Sequence, residues 1–237
     1  MSPVCTPPSP VSTWQDTPLH RLMLTALINQ FENRLLSSNS ATLTIEQWLL
    51  DNGLRASLPL RAERYETPPR PCPAPYLAAL GLDGSNANPP AQMQPDPGDG
   101  HQGYSPASTL RHRTIRLAAD GRVFSQAENW YRPDLLSEVM RHQLDTTDIP
   151  FGHIVRPLAF SRQLLLREGL WSPLPDGWQH GAFPPETGQA LDLPPYLFRH
   201  VAVLRTGGGV PFSVVVETYT PETMRFAPPV LPACAMR

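Results

Sequence analysis

Apolar positions near the start of the chain recur at helical spacing. Leu19, Leu22, Met23, Ala26, Leu27, Phe31 and Leu35 share one face of a 3.6-residue repeat. Thr17-Pro18 supplies an N-cap and a first-turn proline, and Ser37-Ser-Asn-Ser40 ends the segment. A second, shorter helix is predicted from Thr44 over Ile45 to Asp51, stopped by Asn52-Gly53. The pair reads as a helical hairpin suited to covering one face of a sheet. Leu54 to Tyr65 has room for a strand.

Beyond Leu110 the period changes to two. Arg111 to Ala119 alternates as a strand, Ala119-Asp-Gly121 is a hairpin turn of the Asp-Gly type, and Val123 to Tyr131 is the return strand. Pro133 to Leu144 reads as an amphipathic helix, with Leu135, Leu136, Val139, Met140 and Leu144 periodic. Ile149 to Val155 reads as a strand, and Leu158 to Leu170 as leading into a short helix. Tyr196 to Leu204 and Phe212 to Tyr219 form a last hairpin around Gly207-Gly-Gly209. Four or more antiparallel strands, with helices as separate insertions, predict an α+β fold.

Composition changes the picture in three ways. Thirty prolines in 237 residues are clustered. They mark a Pro-rich tail over 1–16, expected to be disordered, a Pro/Gly-rich insertion over 68–106 and a second excursion over 171–195. Within the first insertion Tyr76 to Leu80 suits a single helical turn. The packed domain is expected over 17–221, with 222–237 as a C-terminal tail. All 19 basic residues are arginine, which excludes Schiff-base chemistry and the lysine-dependent phosphate loop. Net charge is -2, so no basic field recommends nucleic acid or an anionic membrane.

Cys5, Cys72 and Cys234 lie far apart, in neither metal-ligand nor disulfide spacing, as in a reducing compartment. With no apolar run long enough for a signal or span, the expectation is a cytoplasmic monomer. No histidine pair has helical metal spacing beside a carboxylate, and no Gly-x-Ser-x-Gly elbow exists. The expectation is therefore no metal.

What remains is charge placed on strands. Arg113 shares a face with Ile115, Leu117 and Ala119, so an arginine stands on an apolar face and must find a partner. Glu217 follows three valines and shares a face with Ser213, Val215 and Tyr219. Two readings stay open. In one, Arg113 and Glu217 form a structural ion pair or Glu217 ends in solvent. In the other, Arg113 grips a substrate carboxylate bidentately, with Glu217 as general acid or hydrogen-bond partner.

Several stretches stand in an order that resembles the chorismate pyruvate-lyases, most of all their mycobacterial-type branch. They are His112-Arg113 to Ala119-Asp-Gly121, Ala127-Glu-Asn-Trp-Tyr-Arg-Pro133, Ile149-Pro-Phe-Gly152, and Gly208-Gly-Val-Pro-Phe-Ser-Val-Val-Val-Glu217-Thr-Tyr-Thr-Pro221. Thr42-Leu43-Thr44 is similar to a further element of that family. The resemblance implies a single antiparallel sheet with helical flaps over a buried ligand pocket. It also implies a cofactor-free elimination that releases pyruvate from chorismate and leaves 4-hydroxybenzoate. Arg113 would bind the ring carboxylate and Glu217 would protonate or hydrogen-bond the departing ether oxygen, while Leu43 and Phe151 would line the pocket. Phe151 stands where the family has leucine, which would shrink or retune that pocket. The alternative from a different class is a non-catalytic aromatic-acid binder of the same fold, as in bacterial regulator sensor domains. Their basic DNA-binding region has no match in Leu19 to Asp51.

Overall fold

A computed structural model describes residues 14–83, except Arg55, Glu66 and Pro69, and residues 110–230. The 1–13 part of the N-terminal tail, 84–106 of the first insertion and 231–237 lie outside the described residues.

The Asp-Gly turn is the local origin of the sheet. Asp120 and Gly121 both adopt positive φ, 52° and 74°, the backbone of a tight hairpin turn whose twist matches its strands. It joins β2 (Arg111–Ala119) to β3 (Arg122–Tyr131). The second hairpin joins β5 (Phe198–Arg205) to β6 (Pro211–Tyr219), and Gly209 takes φ 82° in its turn. β1 (Arg61–Arg64) and β4 (Ser161–Gly169) form the edges. All six strands pair antiparallel in the order β1-β2-β3-β6-β5-β4, so the fold is α+β on a single sheet.

Helices cover the two faces of the sheet unequally. α1 (Pro18–Leu36) starts at Thr17, whose side chain accepts from the His20 amide, as its sequence predicts. Its buried face differs from the predicted one. Leu24, Ile28, Phe31, Glu32 and Leu35 point inward, whereas Leu19 and Leu22 are half exposed. The helix turns toward the residues that can pack on Trp48, Phe198 and Tyr219, because ring contacts bury the most area. α2 (Ala41–Asp51) begins three residues before the predicted start, because Ser40 accepts from the Leu43 amide and caps it. α4 (Glu138–Thr146) is capped by Ser137 and preceded by a separate 3-10 turn at Pro133–Leu135, so the expected continuous helix is broken.

The Ile149–Gly169 region reverses expectation. Phe151–Ile154 is a short helix, α5, and the Leu-rich segment after it is strand β4. Pro150 starts the helix, and three successive leucines on a sheet edge carry no alternating pattern to betray a strand. α1, α2, α4 and α5 lie over one face of the sheet. α3 (Ala74–Ala79) lies on the other, where Leu80 packs on Val201, Val203 and Val214. The described part of the first Pro-rich insertion is thus a cover for the back of the sheet. The packed unit also exceeds the expected 17–221 at both ends. Trp14, Met224 and Phe226 are core residues, and the Trp14 indole N–H donates to the Met224 carbonyl (2.7 Å).

Candidate functional site

Register decides which side chains meet between the sheet and its helices. Arg113 on β2 lies opposite Asn129 on β3, which lies opposite Val215 on β6. One step along, Ile115, Ala127, Glu217 and His200 form the next row across four strands. Side chains alternate faces, so these residues all project toward α1, α2 and α5. Between the aromatic core under α1 and the apolar cluster under α4 the helices do not close. They leave a cavity of about 70 Å3 floored by Arg113, Ile115, Asn129, Val215 and Glu217. The residues at 39–42, at the start of α2, and Pro150, Phe151 and Gly152, at the start of α5, roof it. At about 10–15 Å3 per water the space holds on the order of five waters.

The cavity contains two arginines in opposite states. Arg162, at the start of edge strand β4, donates from Nη2 to Glu217 Oε2 (2.7 Å), and the Tyr219 hydroxyl donates to the same oxygen (3.2 Å). Burial works against the Arg162 charge, but the Glu217 carboxylate outweighs it and holds the guanidinium above its ordinary range. Burial also pushes the Tyr219 hydroxyl well up, with Glu217 adding to it, so this phenol is a donor. Arg113 has no such partner among the described residues. Its Nε, Nη1 and Nη2 are all buried and make no hydrogen bond. Burial, then the nearby Arg64 charge, lowers its pKa from the ordinary arginine range to about 10, which still leaves it cationic at neutral pH. Asn129, on the floor, is 5% exposed, and its Oδ1 is buried without a donor.

The structure therefore brings Arg113, Glu217 and Phe151 together in one cavity. It does not pair the first two: the Arg113–Glu217 ion pair left open by the sequence is replaced by Arg162–Glu217. Leu43 lies elsewhere. It is 46% exposed and lines a neighbouring groove with His153 and Arg156, and its neighbour Thr42 reaches the cavity instead. Arg162 escaped sequence reasoning because its segment reads as helical; the only trace was a basic residue two positions from an apolar one. As bound, Glu217 acts as a hydrogen-bond acceptor. No cluster of His, Cys, Asp or Glu suited to a metal ion occurs among the described residues, and no described helix is long and apolar enough to cross a membrane.

A second charged group lies on the same face outside the cavity. Glu32 on α1 accepts from Arg167 Nε and Nη2 (both 2.6 Å), and its Oε1 lies 2.9 Å from His200 Nε2. Burial works to raise the Glu32 carboxyl, but hydrogen bonds from His200 and Arg167 and their charges overcome it and lower it to about 2.

No protein-family model matches the chain. Against known proteins it is 36% identical, over 223 residues, to the uncharacterized protein y4mC of Sinorhizobium fredii. The match covers 92% of this chain and 84% of that protein. The chain belongs to the y4mC family. Solved structures similar to this y4mC-family chain include PhnF from Mycobacterium smegmatis, at 13% identity and a TM-score of 0.42, over 83% of this chain and 69% of that one. The PhnF effector domain from the same organism matches at 11% identity and a TM-score of 0.41, over 77% of this chain and 88% of that one. At these scores the likeness is distant.

Proposed function

We propose that the protein holds a small aromatic carboxylic acid in this cavity, with Arg113 as the carboxylate's anchor. The observation that carries the reading is Arg113 itself. A buried guanidinium without a partner costs several kcal/mol, and a protein keeps such a group where something else supplies the counter-charge. A carboxylate would do so through two parallel charge-assisted hydrogen bonds. The ionisable residues lining the cavity are Arg113, Arg162 and Glu217. They sum to one positive charge, which complements a monocarboxylate. Ile115, Leu117, Ala127, Val215, Phe151 and Phe160 give the remaining walls an apolar surface for a ring.

A second reading adds chemistry to the same site. The meeting of Arg113, Glu217 and Phe151 in one cavity is the arrangement expected for elimination of pyruvate from chorismate to give 4-hydroxybenzoate. Arg113 would hold the ring carboxylate while Glu217 hydrogen-bonds the ether oxygen that leaves with the enolpyruvyl group. Aromatisation drives such a step, so a closed cavity that orients the substrate supplies most of what it needs. The charge sum favours binding without turnover, because chorismate carries a second carboxylate for which only Arg162, already paired, is at hand.

The test is calorimetric titration with 4-hydroxybenzoate, beside incubation with chorismate and no cofactor. Saturable binding that Arg113→Ala abolishes, with no pyruvate formed, is the expected result. Release of both pyruvate and 4-hydroxybenzoate, lost in Arg113→Ala, would replace it with the lyase reading. Undiminished affinity in Arg113→Ala would overturn both.

A further inference from the structure

Beside the Arg113 guanidinium and the Arg162 Nε, the cavity lining holds one unsatisfied acceptor among the described residues, Asn129 Oδ1. This oxygen accepts nothing among the described residues, the residue is only 5% exposed, and it lines the cavity floor. Asn129 and Arg113 are directly opposed across β2 and β3. Side chains so paired leave the same face about 5 Å apart. The long arginine carries its guanidinium further from the sheet than the short asparagine carries its amide. A ligand with its carboxylate on Arg113 therefore passes Asn129 with another part of its body.

Resting on the reading of Arg113 as anchor, we infer that Asn129 is a specificity residue, and that the ligand is a hydroxy- or amino-substituted aromatic acid whose O–H or N–H donates to Asn129 Oδ1. An amide oxygen repels a carboxylate oxygen and gains nothing from a bare ring. A hydroxyl or amine is the group that relieves it. The preference follows from the cost of leaving a buried acceptor unpaired: a site built to bond a hydroxyl rejects the analogue that lacks it. Glu217 is the competing acceptor, since its Oε2 alone takes the Arg162 and Tyr219 bonds.

The experiment titrates benzoate, 2-, 3- and 4-hydroxybenzoate and 2-aminobenzoate into the wild type, Asn129→Leu, Glu217→Gln and Arg113→Ala, with thermal melts to verify folding. At least one substituted acid is expected to bind the wild type about tenfold more tightly than benzoate. Asn129→Leu should erase that margin with benzoate still bound through Arg113, and should do so more fully than Glu217→Gln, which also removes the Arg162 ion-pair partner. Equal affinities for benzoate and every substituted acid in the wild type overturn the inference even if the variant misfolds. So does equal weakening of all acids by Asn129→Leu, which makes the amide a carboxylate donor, or loss of the margin in Glu217→Gln alone. In each of those outcomes Arg113→Ala still abolishes binding. If no acid binds the wild type, or Arg113→Ala binds as well as wild type, the anchor reading fails instead.

Discussion

Two arginines leave the same face of this sheet and meet opposite fates. Arg167 is half exposed, yet its Nε and Nη2 both donate to Glu32, which is itself buried and also bonded to His200. The Arg113 guanidinium nitrogens are buried and bonded to nothing among the described residues. The first is a finished structure: every charge has its counter-charge, and removing one member leaves another stranded. The second is an unfinished one, a buried charge with no counter-charge among the described residues. In the function proposed above, the difference separates a group that holds the protein together from a group kept for a ligand, and either role can be broken on its own.

The largest effect should come at Arg113. Arg113→Met is expected to lower affinity for an aromatic acid by about a hundredfold or more, since two charge-assisted bonds are lost. The same change should raise the stability of the ligand-free protein by at least about 1 kcal/mol, because an unpaired charge leaves the interior. Calorimetry and urea denaturation on one variant read both, and a loss of stability would put Arg113 in the same class as Arg167.

Glu32→Ala should do the reverse. It strands His200 and frees Arg167, and a destabilisation of about 3 kcal/mol is expected by urea denaturation, with acid binding unchanged once the variant is folded. The pH dependence has a definite sign. The Glu32 carboxyl is lowered from 4.5 to about 2, so the unfolded chain takes its proton first. Its contribution is fully present above about pH 4.5 and is lost as pH falls toward 2. Glu32→Gln should flatten the stability slope in that window, and an unchanged slope would assign acid sensitivity elsewhere.

The smallest effect concerns Phe151. It lies on the cavity roof, with its ring 6.3 Å from Phe212 and 5.6 Å from Tyr131. Phe151→Leu should cost no more than about 1.5 kcal/mol of stability and shift preference toward bulkier acids by a few-fold. Titration with a naphthoate beside a benzoate would show it.

The hairpins of this protein are legible in its sequence because their signals are local. Asp120-Gly121 supplies two positive-φ residues, and flanking alternation sets the faces, so Arg113 on an apolar face and Glu217 after its valines stand out from the residue pattern alone. The edge strand β4 is not legible, since a bulge and Leu164-Leu165-Leu166 remove the alternation. With it goes Arg162, the true partner of Glu217. Leu43 is put at the pocket by the family resemblance alone; in α2 it is exposed beside the neighbouring groove, and Thr42 lines the cavity.

The amino-acid sequence by itself determined the hairpin strands, their turns, the α+β class and the presence of an arginine where apolar side chains belong. Only the tertiary structure decided who answers each charge. That depends on the order β1-β2-β3-β6-β5-β4, which sets β4 and Arg162 beyond β5 and within reach of Glu217 on β6. Pairing is a matter of a few ångströms between residues 55 positions apart in the chain. Local propensity carries no information at that range, and packing does.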